Sequence, residues 1–139
     1  MIGIAADHAG FLYKEILANY LLEKGYEVKD FGTHSLESSD YPDFAHPLSE
    51  AVSSGTLEKG VAVCGSGEGM CITANKHQGV RAALVWNEEV AALSRQHNDA
   101  NILCLPSRFI SIEKAKELVD IFFSTEFEGG RHSRRVSKI

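Results

Sequence analysis

Five times along this chain a short apolar run gives way to a segment of helical periodicity, and few architectures accommodate that rhythm. The runs are Ile2–Ala6, Tyr26–Phe31, Gly60–Cys64, Val80–Trp86 and Ile102–Leu105. Most are apolar without interruption, as expected of strands buried on both faces. Parallel strands need long crossovers, and the helical segments supply them. In the first helix Leu12, Ile16, Tyr20 and Leu21 are expected to form the buried side, with Lys14 and Glu15 turned away, and Gly25 ends it. The second starts at Tyr41-Pro42-Asp43 and runs through Ala45, Leu48, Ala51 and Val52 to near Gly55. Met70 to Lys76 and Glu88–His97 are the third and fourth, and Ser111 caps a fifth that buries Ala115, Leu118, Val119 and Phe122. The expected fold class is α/β: a three-layer αβα sandwich, a Rossmann-like five-stranded parallel sheet with helices on both faces.

With 139 residues the chain fits one domain, 1–139, large enough to bury a core without metals or disulfides. Three cysteines, an odd number in apolar surroundings, point to a reduced, cytoplasmic protein without a disulfide framework or metal-ligand spacing. Met1-Ile2-Gly3-Ile4 already reads as a strand, so no signal peptide is expected, and no apolar run is long enough to span a membrane. A net charge of -5 argues against nucleic acid as a partner. Arg131, Arg134, Arg135 and Lys138 nevertheless crowd the acid-free stretch from Gly129 to Ile139. That basic tail is either a solvated end or an anion clamp, since arginine's planar fork suits phosphate. Residues 124–139 show no apolar period and are expected to pack on a partner subunit.

The most informative chemistry lies in Gly60-Val-Ala-Val-Cys64-Gly-Ser-Gly-Glu-Gly-Met70. A buried strand runs into a turn with Gly65, Gly67 and Gly69, and a helix follows. Unpaired amides and the helix dipole at such a turn favour negative charge. Cys64 sits at its mouth, where a thiol is expected to be acidified into a base or nucleophile; the alternative is a small buried strand residue. The turn is no dinucleotide fingerprint, because it follows the third strand, and no P-loop, because no Lys-Ser/Thr follows it. Ligands of parallel sheets sit beyond the strands' carboxyl ends. That rule selects Asp7-His8, Cys64–Gly69 and Pro106-Ser107-Arg108, although Asp7-His8 could equally cap the first helix. His97-Asn98 precedes the fifth strand and could reach such a site only from the helix-entry side or across a subunit boundary.

The ordered blocks Ala6-Asp7-His8-Ala9-Gly10, Asp40-Tyr41-Pro42-Asp43, Cys64 to Met70, Ala74-Asn75-Lys76, Gly79-Val80-Arg81-Ala82, Ser94 to Asn101 and Gly129-Gly130-Arg131-His132 span essentially the whole chain. Together they resemble the ribose-5-phosphate isomerase B family, which also contains galactose-6-phosphate isomerase subunits. The resemblance implies aldose–ketose isomerisation of a sugar phosphate through a cis-enediolate, with no metal and no cofactor. It implies that Cys64 is the base and that Ser66 and the amides from Gly65 to Gly69 hold the oxyanion. His97 would open the furanose ring with Asp7 nearby, and Asn98 would contact the sugar. His8, Arg108, Arg131 and Arg135 would fix the phosphate, and Tyr41 would line the pocket. Sites shared between subunits of a homodimer, or of a dimer of dimers, are implied as well. Some relatives lack the cysteine and use a glutamate where this chain has Met70. Glu68 is unexpected inside the turn, where a carboxylate pointing inward would oppose the anion hole. Rival readings are an allose- or galactose-6-phosphate isomerase and, in another class, a non-catalytic sugar-phosphate sensor.

Overall fold

In the computed structural model, which describes residues 1–139, one sheet organises the chain. The elements are β1 (Ile2–Ala6), α1 (Phe11–Glu23), β2 (Val28–Asp30), α2 (Pro42–Ser53), β3 (Lys59–Cys64), α3 (Glu68–Ala74), β4 (Ala82–Leu84), α4 (Glu88–Gln96), β5 (Ile102–Pro106), α5 (Ile112–Ser124) and α6 (Arg131–Val136). All strands are parallel, in the order β2-β1-β3-β5-β4. Winding leaves β1 in opposite directions toward β2 and β3, which opens a crevice at their carboxyl ends. The register pairs Ala6 with Val63 and Cys64 with Pro106, so the ends of β1, β3 and β5 lie side by side.

Strand alternation divides the core in two. Ile4, Ala6, Val61, Val63, Leu103 and Leu105 face one layer with Leu17, Leu21, Leu118 and Phe122. Ala5, Ala62, Cys64, Ile102 and Cys104 face the other, against Leu48, Met70 and Ala74. This is the expected three-layer sandwich, and burying each large side chain contributes about 1.5–3 kcal/mol. Cys64 lies on the layer built by α2 and α3.

Several boundaries and one face differ from expectation. β2 and β4 are three residues each, shorter than the apolar runs that mark them. The buried side of α1 is Lys14, Leu17 and Leu21, while Leu12 and Ile16 are exposed. Apolar residues surround this helix on every side, so periodicity could not select a face. Lys14 buries its stem and pairs its ammonium with Asp30 and with Glu15 at 2.8 Å, which makes a fully buried lysine tolerable. The segment after Ser124 also contains a helix, α6, although its sequence has no apolar period. The Glu128 amide donates to the Gln96 carbonyl at 3.1 Å, so this segment rests on the end of α4 in its own chain.

Candidate active site

β3 delivers Cys64, buried, to the start of the glycine turn. Gly67 has φ +76°, and a Cβ there would lie 2.6 Å from the Leu84 side chain and 3.1 Å from the Leu105 backbone. Only glycine fits this left-handed, crowded position. The resulting curl turns the amides of Met70, Gly67 and Gly69 toward the Cys64 sulfur. Those donors favour the thiolate, yet burial outweighs them and pushes the thiol above its ordinary value, with help from the Asp7 charge. The expected acidification is therefore reversed: the helix-end donors act, but desolvation and a carboxylate neighbour win.

A cleft of about 400 Å³ opens over the thiol. Asp7, His8, Tyr41, Gly65, Ser66, Gly69 and Arg108 line it together with Cys64. Asp7 is buried and its Oδ1 accepts from the Gly10 amide at 3.1 Å, so it caps the turn as well as facing the thiol. His8 and Ser39 hold each other reciprocally: the His8 amide donates to Ser39 Oγ and the Ser39 amide donates to His8 Nδ1, both at 3.1 Å. With Nδ1 accepting, the neutral ring carries its proton on Nε2 and is a donor there. Ser107 Oγ donates to the Ala9 and Cys64 carbonyls at 2.9 and 3.2 Å, tying together the loops after β1, β3 and β5. The Arg108 amide donates to the Gly65 carbonyl at 3.0 Å, and its guanidinium has no carboxylate partner. The Tyr41 ring packs so closely on Gly69 that a Cβ would come within 2.8 Å of it. Glu68 is exposed beside the cleft, away from the sulfur.

The remaining predicted residues lie at the other end of the sheet. His97 caps the end of α4, before β5 begins, and therefore stands on the amino side of the strand whose carboxyl end borders Cys64. Its ring stacks on His132 with centroids 4.2 Å apart and 12° between planes. Glu128 Oε1 lies 3.6 Å from Nε2 of His97 and 3.8 Å from Nε2 of His132. Burial, then the charges of His97, Arg131 and Arg135, depress the pKa of His132. The adjoining loop is tied down by Asp99, which accepts from Arg95 at 2.9 Å and from Arg81 at 3.3 Å. Asn98, Arg131 and Arg135 are exposed around it, and neither arginine pairs with a carboxylate. One chain thus brings Asp7, His8, Tyr41, Cys64, Gly65, Ser66, Gly67, Gly69 and Arg108 together, and leaves His97, Asn98, Arg131 and Arg135 apart from them.

The family model described as Ribose/Galactose Isomerase matches residues 2–139. The chain belongs to the ribose/galactose isomerase family. The structure of ribose-5-phosphate isomerase B from Clostridium thermocellum is 50% identical, with a TM-score of 0.97 over 99% of this chain and 93% of that one. The Mycoplasma genitalium enzyme, solved with bound ribulose-5-phosphate, is 45% identical with a TM-score of 0.95 over 99% of this chain and 91% of that one. Ribose-5-phosphate isomerase B of Escherichia coli is 44% identical over 138 residues, covering 99% of this chain and 93% of its own. This family member is thus an aldose–ketose isomerase. Sequence reasoning passed over Ser39, Glu128 and the exposed Phe109 at the cleft rim, none of which carries a motif of its own. His132 was visible only as the end of Gly-Gly-Arg-His.

Proposed function

We propose that the chain interconverts ribose 5-phosphate and ribulose 5-phosphate with Cys64 as the base. The observation that carries this reading is a buried thiol set between three backbone amides and the Asp7 carboxylate, at the floor of an open cleft. His8 Nε2–H and the unpaired Arg108 guanidinium supply donors for the phosphate at the same cleft. The set is incomplete within one chain, so the partner subunit's His97, Asn98, Arg131 and Arg135 complete it in a homodimer or a dimer of dimers. Residues 124–139 would then serve the neighbouring site, although their backbone is anchored to their own α4.

In this reading the partner subunit's His97 gives a proton to the ring oxygen while Asp7 takes the proton of the anomeric hydroxyl, and the furanose opens. Cys64, as thiolate, removes the proton from C2 of the aldose and returns it to C1 of the enediolate, while the O2 hydroxyl proton passes to O1, leaving the ketose carbonyl at C2. Ser66 and the turn amides stabilise the negative oxygen. Positioned proton transfer is commonly worth about 10²–10⁴ in rate, and each oxyanion donor about 10²–10³. The bound phosphate holds the reacting carbons over the sulfur without taking part in the chemistry.

Turnover of ribose 5-phosphate, allose 6-phosphate and galactose 6-phosphate by wild type and Cys64→Ala tests the proposal. Strong ribose 5-phosphate activity that vanishes in the variant is expected. Turnover of a hexose phosphate alone would replace the substrate and keep the base. Near-wild-type activity in Cys64→Ala would remove the thiol from the mechanism. Binding without turnover of any of the three would favour a sensor.

A further inference from the structure

We propose that His97, Glu128 and His132 form a binding site for a divalent transition metal of the zinc type, and that its occupation inhibits the isomerase. One ring nitrogen from each histidine and one carboxylate oxygen all lie within 4.8 Å of one another. Two imidazoles and one carboxylate are a donor set that suits zinc, cobalt and nickel. With metal–ligand bonds of about 2.0–2.1 Å, tetrahedral ligand atoms stand roughly 3.3 Å apart. The carboxylate-to-ring distances of 3.6 and 3.8 Å therefore need to close by only a few tenths of an ångström.

The stacked rings must also tilt so that their lone pairs converge. His97 and Glu128 have the room, with side chains 39% and 51% exposed, while His132 at 9% is the fixed anchor. The backbone already holds the two segments together, since the Glu128 amide donates to the Gln96 carbonyl at 3.1 Å, one residue before His97. Arg131 and Arg135, on the same short helix as His132, oppose a bare dication by their charge. They favour a metal whose fourth position carries an anion such as hydroxide or phosphate. A coordinated Nε2 on His97 has no proton to give. Inhibition therefore rests on the reading of His97 as the ring-opening acid, whereas binding does not.

The test is a titration of the metal-free protein with cobalt(II), followed by its visible spectrum, and with zinc(II), followed by calorimetry. Glu128→Gln, His132→Asn and Cys64→Ser are compared with wild type, and circular dichroism checks each fold. The expected result is d–d absorption without a thiolate charge-transfer band, and affinity lowered at least about tenfold in the Glu128 and His132 variants but not in Cys64→Ser. Exposed Glu128 keeps the test valid if His132→Asn fails to fold. No binding, or binding unchanged in Glu128→Gln, or binding lost in Cys64→Ser, would overturn the site. Zinc is expected to suppress wild-type turnover, and Glu128→Gln to resist it relative to its own metal-free rate. Binding at this cluster that leaves turnover untouched would overturn the inhibition and with it the role of His97, while the site stands.

Discussion

Cys64 and His97 border opposite ends of β5, and they are held in opposite ways. Cys64 is buried, and its surroundings are mostly main chain: the amides of Met70, Gly67 and Gly69, with Asp7 as the charged neighbour. His97 is half exposed, and its surroundings are side chains, a stacked His132 and the Glu128 carboxylate. The first region is finished within a single chain, because a strand, a turn and a helix that are contiguous in sequence build it. The second is preformed yet faces nothing in its own chain that it could act on. Under the proposed mechanism, this difference would assign the base and the ring-opening acid to two subunits.

The largest expected effect breaks this comparison directly. Cys64→Ala and His97→Asn are each expected to abolish turnover, and co-expression of the two is expected to restore it. Random pairing makes half the dimers mixed, each with one intact site, so activity should reach about a quarter of wild type. Mixed dimers that stay inactive would place both residues in the same chain's site.

Gly67→Ala sharpens the main-chain side of the contrast. A side chain at φ +76° costs about 1–2 kcal/mol and meets Leu105 backbone at 3.1 Å. Loss of most turnover together with a lower denaturation midpoint is expected. Full activity in a destabilised variant would show that the amides are dispensable.

Asp7→Asn probes the thiol itself. Burial raises the Cys64 pKa first and the Asp7 charge adds to it, so thiolate forms late as pH rises. Removing that charge is expected to shift the pH midpoint of Cys64 alkylation downward, though not below the ordinary thiol range, because burial remains. A midpoint that stays put or climbs would deny the coupling.

The smallest effect concerns His132. Its folded pKa lies below the ordinary value of about 6.5, so at lower pH the unfolded chain binds the proton more readily. Stability is therefore lost as pH falls below about 6.5, and His132→Asn should make that decline shallower. Urea midpoints across this range measure it, and an unchanged slope would discount the histidine.

The α/β alternation, the sandwich and the Cys64 turn are legible along the chain, because each depends on residues close together in sequence. Short continuous apolar runs bounded by turn residues suit strands covered on both faces, and Gly67 marks a left-handed, crowded backbone that only glycine follows. Tertiary structure alone decided which face of α1 is buried, since Leu12 and Ile16 are as apolar as Leu17 and Leu21, and the Lys14–Asp30 pair tips the choice. It also reversed the direction of the Cys64 shift. A helix start is visible in sequence, but the cost of desolvating a charge depends on everything packed around it. The cluster of His97, Glu128 and His132 was hidden for the same reason: three side chains more than thirty positions apart at the extremes meet only when α6 folds onto α4.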